Sequence, residues 1–152
     1  ADVVIKEERD RERAEKKKRE AEAKKAAEAA AEKAVAEAAA ERARICAEQS
    51  TNVFFTIGSF AVRKTEEAKL QKLAEFLKAN PDYSVALVGH ADKATGSANV
   101  NMQVSKKRAE SVKAKLVALG VPASSIETSY VGDTVQPFAE NDMNRVIVCT
   151  VR

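Results

Sequence analysis

Two side chains of opposite charge, Asp92 and Arg108, occupy positions from which both could reach one small ligand. Asp92 lies in a polar loop, residues 89–99, that directly follows an apolar run. Asn101, Ser105 and Arg108 are spaced i, i+4, i+7 on the predicted helix after that loop, so they share one face. A guanidinium can grip a carboxylate with two hydrogen bonds, and a carboxylate attracts an ammonium. This spacing suits a small zwitterion, but it also allows Asp92 and Arg108 to pair with each other or to cap the loop.

The residues around this loop do not indicate catalysis. His90 is the single histidine of the chain, and one histidine after a buried strand is more typical of a structural hydrogen bond. No serine or cysteine nucleophile motif accompanies it, and no second acid suits glycoside hydrolysis. Two distant cysteines and one histidine lack metal-ligand spacing, and no phosphate-binding glycine fingerprint is present. We therefore expect a protein that is not an enzyme and has no catalytic residue, metal or cofactor.

The elements that must position Asp92 and Arg108 alternate along the second half of the chain. Apolar runs and helical stripes predict strands at 52–60, 83–88, 126–131 and 145–151, with a helix from Thr65 to 79 and another from about 100 to 119. Thr65 is the expected N-cap of the first of these helices, and the continuous apolar run 83–88 predicts a central strand buried on both faces. The order β-α-β-α-β-β predicts an α/β two-layer sandwich, a mixed sheet with helices on one face.

Residues 1–50 have a different composition and predict a separate element. They are mostly Ala, Glu, Lys and Arg, and they contain no Gly, Pro or aromatic residue. Residues 7–49 are expected to form one helix, about 65–70 Å long at about 1.5 Å per residue. The stripe that could face a partner is nearly all Ala, so a spacer or weakly self-associating helix is favoured over a true coiled coil. The predicted domains are this helix, 1–50, and a globular domain, 51–152.

Charge and cysteine content limit the possible partners. The net charge is +3 and the charges are mixed, so nucleic acid is not an expected partner. No apolar run is long enough to cross a membrane, and a membrane attachment is expected only through a segment outside residues 1–152. Cys46 and Cys149 could form a disulfide in an oxidising compartment or remain two separate thiols; the count of two leaves both open.

The motifs of the second half resemble those of the OmpA-like peptidoglycan-binding domain. The resemblance covers residues 51–152, including the opening Val53-Phe54-Phe55 and the closing Asn144-Arg145-Val146. Its central part is Gly89-His90-Ala91-Asp92, followed by Asn101, then Val104-Ser105-Lys106-Lys107-Arg108-Ala109 and Leu119-Gly120-Val121.

The resemblance implies a function and a set of binding residues. A domain of this family binds the diaminopimelate of the peptidoglycan stem peptide in the periplasm, and it anchors the outer membrane of a Gram-negative bacterium to the cell wall. The implied ligand-binding residues are Asp92, Arg108, Asn101, Ala91 and Arg145. The alternative is a structural protein in which the long helix self-associates into a homo-oligomer and the globular domain is passive.

Overall fold

The computed structural model describes residues 2–152, and this part of the chain divides into two compact units with the boundary between Arg42 and Ala43. Helix α1, Asp2–Gln49, runs through this division, and it begins five residues before the predicted start at Glu7. It has no fully buried residue, so its stability must come mainly from the high helix propensity of Ala, Glu, Lys and Arg. An exposed i, i+4 pair, Lys33–Glu37, has a nitrogen–oxygen distance of 3.9 Å, and such a pair contributes a few tenths of a kcal/mol (about 0.3–0.5).

The second unit has the predicted β-α-β-α-β-β order. Its elements are β1 Thr51–Phe54, α2 Lys64–Ala79, β2 Val85–Gly89, α3 Ala98–Ala118, β3 Ile126–Tyr130 and β4 Val146–Val151, with short 3-10 turns at Ala123–Ser125 and Asn141–Asn144. The four strands form one mixed sheet in the order β1-β4-β2-β3. β2 and β3 are parallel, whereas β4 is antiparallel to both β1 and β2. The predicted fold class is therefore confirmed.

The core lies between this sheet and the two helices. Helical spacing predicts a buried stripe on each helix: Leu70, Leu73, Ala74 and Leu77 on α2, and Ser105, Ala109, Val112, Leu116 and Leu119 on α3. All of these residues are buried except Leu119, which is partly buried. Strand residues Val53, Val85, Leu87, Ile147 and Cys149 face them and are 0% exposed. Because the helices and strands share one continuous apolar cluster, the ends of β2 and α3 are held at a fixed separation.

Three details of the prediction were wrong. β1 ends at Phe54 and not at Phe60, because the chain turns at Gly58, where φ is +64°. The N-cap of α2 is Arg63 and not Thr65. β2 is not buried equally on both faces: Val85, Leu87 and Gly89 are buried and the residues between them are half-buried, because the helices pack on one face alone.

Two glycines define the strand tip and the far end of α3. A Cβ atom at Gly89, the last residue of β2, would overlap the carbonyl oxygen of Ser105 on α3. Glycine therefore lets the strand tip and the helix backbone touch. Gly120 has φ of +100° directly after α3 and its C-cap Leu119, which is the left-handed conformation expected at that position.

Cys46 and Cys149 are separate free thiols in this structure and do not form a disulfide. Cys149 is buried on β4, and this burial raises the pKa of its thiol to about 12. Cys46 is partly buried against the same apolar cluster. Within residues 2–152, none of the helices combines the length and the apolar character needed to span a bilayer.

Candidate functional site

Four of the five predicted site residues line one small cavity at the tip of β2. Ala91, Asp92, Asn101 and Arg108 contribute to its wall, and its volume is about 180 Å³. Ile57, Val100 and Val104 supply apolar wall beside them. The fifth predicted residue, Arg145, lines a neighbouring cavity and contacts Asp92 from there. The loop after β2 and the first turns of α3 therefore bring together residues that are up to 17 positions apart.

Asp92 is 2% exposed and is surrounded by hydrogen-bond donors. Its carboxylate accepts bonds from the Thr95 backbone N–H (3.1 Å), the Thr95 hydroxyl (2.7 Å) and the Asn141 side-chain amide (3.0 Å). Nη1 of Arg145 lies 3.5 Å from Oδ1. Burial by itself would raise the pKa of Asp92, but these donors and the charge of Arg145 outweigh it and hold the pKa below its usual value. Asp92 is thus a fixed negative charge at neutral pH.

Arg108 is 1% exposed and donates to three backbone carbonyl groups. Nε bonds to Ser59 (2.8 Å), Nη1 to His90 (3.0 Å) and Nη2 to Thr56 (3.2 Å). Burial lowers its pKa to about 10, although the charge of Asp92 opposes this shift, so the guanidinium is charged at pH 7. These three bonds use three of the five N–H donors of a guanidinium. Each terminal nitrogen therefore keeps one N–H that a ligand in the cavity can use.

The structure separates the alternatives that the spacing left open. Asp92 and Arg108 face the same cavity, and among the described residues the direct ion-pair partner of Asp92 is Arg145 and not Arg108. Asp92 does cap its own loop, through the N–H of Thr95. Loop capping and a cavity with one negative and one positive wall therefore occur together.

Asn101 and Ala91 shape the loop. The Asn101 side-chain amide donates to the carbonyl oxygen of Thr95 and to the carboxylate of Asp133, both at 2.8 Å. Ala91 donates its N–H to the Gly132 carbonyl (2.8 Å), and its own carbonyl accepts from the Gln136 side chain (2.9 Å). Asn101 lines the cavity while its amide holds the loop, so both residues fix where Asp92 lies.

His90 has a structural hydrogen bond. Nδ1 of its ring lies 3.1 Å from the carbonyl oxygen of Val135. Burial lowers the pKa of the ring, and the bond to Val135 opposes this in part, so the imidazole is neutral at pH 7. Within residues 2–152, no group of three or more His, Cys, Asp or Glu side chains is placed to hold a metal ion.

Two contributors to the site were missed from the sequence. Thr95 lies three residues after Asp92, a spacing typical of a side-chain-capped turn, so a local signal for it exists. Asn141 lies 49 residues away on the 3-10 turn before β4, and no pattern in the sequence connects it to Asp92. Met143 and Asn144 follow on the same turn, where Asn144 is buried and bonds to both backbone groups of Phe138.

Comparison with known proteins shows similarity to envelope proteins of Gram-negative bacteria. The chain is 36% identical to Outer membrane protein 40 of Porphyromonas gingivalis over 98 residues, which cover 64% of this chain and 26% of that protein. It is 32% identical to the peptidoglycan-associated lipoprotein of Agrobacterium fabrum over 80 residues, 53% of this chain and 45% of that protein. The chain thus spans less than half the length of these curated relatives.

Solved structures show the same fold. The crystal structure of the peptidoglycan-associated lipoprotein from Burkholderia pseudomallei superposes with a TM-score of 0.63 at 26% identity, over 66% of this chain and 89% of that one. The OmpA-like domain of FopA1 from Francisella tularensis superposes with a TM-score of 0.60 at 20% identity, over 68% and 70% of the two chains, and supports the fold alone. The OmpA family model matches residues 54–146, from the last residue of β1 to the first residue of β4, and this range includes both helices of the sandwich and the loop that holds Asp92. The chain belongs to the OmpA family.

Proposed function

We propose that this chain binds peptidoglycan non-covalently through the diaminopimelate of the stem peptide. The observation that carries the proposal is the pair of opposite charges, Asp92 and Arg108, on the wall of one small cavity. A free amino-acid end of diaminopimelate carries one carboxylate and one ammonium. The carboxylate is complementary in charge to Arg108, and the ammonium is complementary to Asp92. The proposal assigns no catalytic step to the chain.

The hydrogen bonds of the site support this assignment. The ligand carboxylate would take the two remaining N–H groups of Arg108, and such charge-assisted pairs are among the stronger hydrogen bonds in proteins. The ligand ammonium would meet Asp92, whose lowered pKa keeps it negative. Both protein groups are already held by neighbours, so little side-chain freedom is lost on binding. Ile57, Val100 and Val104 would contact the methylene part of the ligand.

The names of the relatives support the cellular role. Peptidoglycan-associated lipoproteins and outer membrane proteins are among the most similar proteins. The proposal therefore places this chain in the periplasm, where residues 51–152 bind the cell wall and residues 1–50 act as a helical spacer. The connection would anchor the outer membrane, or an envelope complex, to the wall.

The test is binding of diaminopimelate by calorimetry and of purified sacculi by co-sedimentation. Asp92→Asn removes the negative charge with little change in shape. We expect it to weaken diaminopimelate binding at least about 30-fold, because truncating one partner of a buried charge pair costs about 2–5 kcal/mol. Val104→Phe is a second variant that fills the cavity and leaves the polar residues in place, and it should also reduce binding.

Glu110→Gln is the matched control, since it removes one exposed carboxylate from α3 outside the cavity. It should bind as the unmodified chain does. Circular dichroism would check that each variant is folded. Full retention on sacculi by both Asp92→Asn and Val104→Phe would contradict the proposal.

A further inference from the structure

A second and larger cavity lies beside the proposed diaminopimelate site. Its volume is about 430 Å³, and its wall includes Arg63, Asp142 and Arg145 together with the apolar side chains of Phe54, Ile57 and Met143. Ile57 belongs to the wall of both cavities. Arg145 also connects them, since its guanidinium reaches Asp92 of the first cavity at 3.5 Å. A ligand that extends out of the first cavity could therefore enter the second.

Arg145 has unused hydrogen-bonding capacity. Its Nε atom is buried, and no atom in the described part of the chain accepts a bond from it. A buried donor without a partner costs about 1–3 kcal/mol, and in native structures such a group is satisfied by protein, by water or by a bound ion. Its Nη1 atom is 3.5 Å from Asp92, which is longer than the usual 2.7–2.9 Å of a charge-assisted bond. Asp92 therefore satisfies the charge of Arg145 incompletely.

Arg63 supplies a second cation to the same cavity and is also weakly held. Its Nη2 atom lies 3.9 Å from Oε1 of Glu66, and its side chain is 43% exposed. The Glu66 carboxylate already accepts the Phe54 N–H at 2.9 Å and contacts Lys69 at 2.8 Å. Arg63 can thus turn toward an anion without leaving a buried charge unpaired.

The charges of the cavity define the class of group that it fits. Two guanidinium groups face one carboxylate, that of Asp142, which is exposed and therefore well hydrated. The cavity has a net positive charge, one carboxylate and an apolar wall. A peptide residue with a free carboxylate, an N–H group and a short aliphatic stem presents the complementary set.

We propose that this second cavity binds a carboxylate-bearing residue next to diaminopimelate in the same stem peptide. The carboxylate lies between Arg63 and Arg145, where the terminal N–H groups of the two guanidinium groups can donate to it. The aliphatic stem packs on Ile57 and Met143, and a peptide N–H donates to Asp142. This inference rests on the proposed function, and it adds a preference: the chain distinguishes a wall peptide with a free acid at this residue from one in which the acid is an amide.

The test compares three probes by calorimetry with the full chain. They are free diaminopimelate, a tripeptide in which a residue with a free carboxylate precedes diaminopimelate, and the same tripeptide with that carboxylate amidated. The unmodified chain should bind the acidic tripeptide about five- to tenfold more tightly than the amidated one, which corresponds to the strength of one partly exposed charge-assisted pair. Arg63→Gln should reduce this preference and change the affinity for free diaminopimelate less than about twofold.

Lys64→Gln is the matched control, because it removes a neighbouring exposed cation that does not line the cavity. It should retain the preference. Equal binding of the two tripeptides by the unmodified chain, or an undiminished preference in Arg63→Gln, would overturn the second cavity while diaminopimelate binding stands. If none of the three probes binds, the proposed function and this inference both fail.

Discussion

Arg145 Nη1 lies 3.5 Å from Asp92 Oδ1, although the two residues are 53 positions apart in the sequence. Arg108, the cation whose spacing suggested a link with Asp92, donates instead to three backbone carbonyl groups. The two arginines thus have different contacts: Arg145 partly balances the aspartate, and Arg108 joins the loop after β1 to the loop after β2. Asp92 is consequently held in place before any ligand arrives, which reduces the entropy lost on binding.

Arg108→Lys should destabilise the fold even though it keeps the charge. An ammonium cannot reach three carbonyl groups in the fork geometry of a guanidinium, so buried acceptors lose their donors. We expect the free energy of unfolding to fall by about 2–3 kcal/mol, measured by urea denaturation with an unchanged m-value. Arg152→Lys, at an exposed ion pair with Glu127, is the control and should change stability by less than about 1 kcal/mol. Equal effects of the two changes would contradict this view of Arg108.

Glu66→Ala should destabilise the packing of α2 on β1. Glu66 is 4% exposed, accepts the Phe54 N–H at 2.9 Å and pairs with Lys69 at 2.8 Å. Its removal leaves the Phe54 N–H without an acceptor and Lys69 without its ion-pair partner, although Lys69 still donates to the Asn52 carbonyl, at a cost of about 1.5–3 kcal/mol. Glu67→Ala removes a half-exposed carboxylate 3.9 Å from Lys115 and should cost less than about 1 kcal/mol. Thermal unfolding of both variants would measure this difference, and a smaller effect for Glu66→Ala would disprove it.

His90 should make the free energy of unfolding decrease as pH falls below about 6.5. Its folded-state pKa is lowered from 6.5 by burial. As pH falls below 6.5 the unfolded chain takes up the proton first, so the free energy of unfolding decreases until pH reaches the lowered pKa. Full stability from this group is therefore present above pH 6.5. His90→Gln should flatten the dependence between pH 7.5 and 5.5 in urea denaturation, because the chain has no other histidine. An unchanged slope would assign the dependence to other groups.

Helix α1 should not drive strong self-association. Its side chains are exposed or half-exposed along its whole described length, and its stripe is mostly Ala, which buries little area on contact with a second copy. Sedimentation velocity at micromolar concentration should give a monomer for the full chain and for residues 43–152. A dimer of the full chain that is absent from residues 43–152 would instead support the oligomeric role of the helix.

Local and periodic patterns explain what the sequence could predict. The stripes of α2 and α3 repeat at helical spacing and are buried apart from the partly buried Leu119, and Gly120 has the left-handed conformation expected directly after a helix. The strand expected at 52–60 was too long, because Ile57 and Phe60 are apolar but 62% and 44% exposed. The apolar character of a residue is therefore not enough to predict that its side chain is buried in the core.

Contacts between distant segments could not be derived from the residues alone, and Arg145 entered the predicted site only through the family resemblance. Asn141 and Arg145 meet Asp92 only because β4 lies next to β2 in the sheet. Glu66 is a charged residue in the first turn of α2, yet it is buried and its carboxylate accepts the N–H of Phe54 at the end of β1. These positions depend on strand order and on helix placement, and neither leaves a repeating signal in the chain.

The contact between Gly89 and the backbone of Ser105 restricts how this site can change during evolution. Any side chain at position 89 would push the third helix away from the second strand and so widen the gap between the acidic and basic walls. A homologue with a bulkier residue at this position would have a wider site, which would fit a longer ligand or would no longer bind one. Changes of specificity should therefore accumulate in the loops at 56–59 and 133–143, while this junction stays constant.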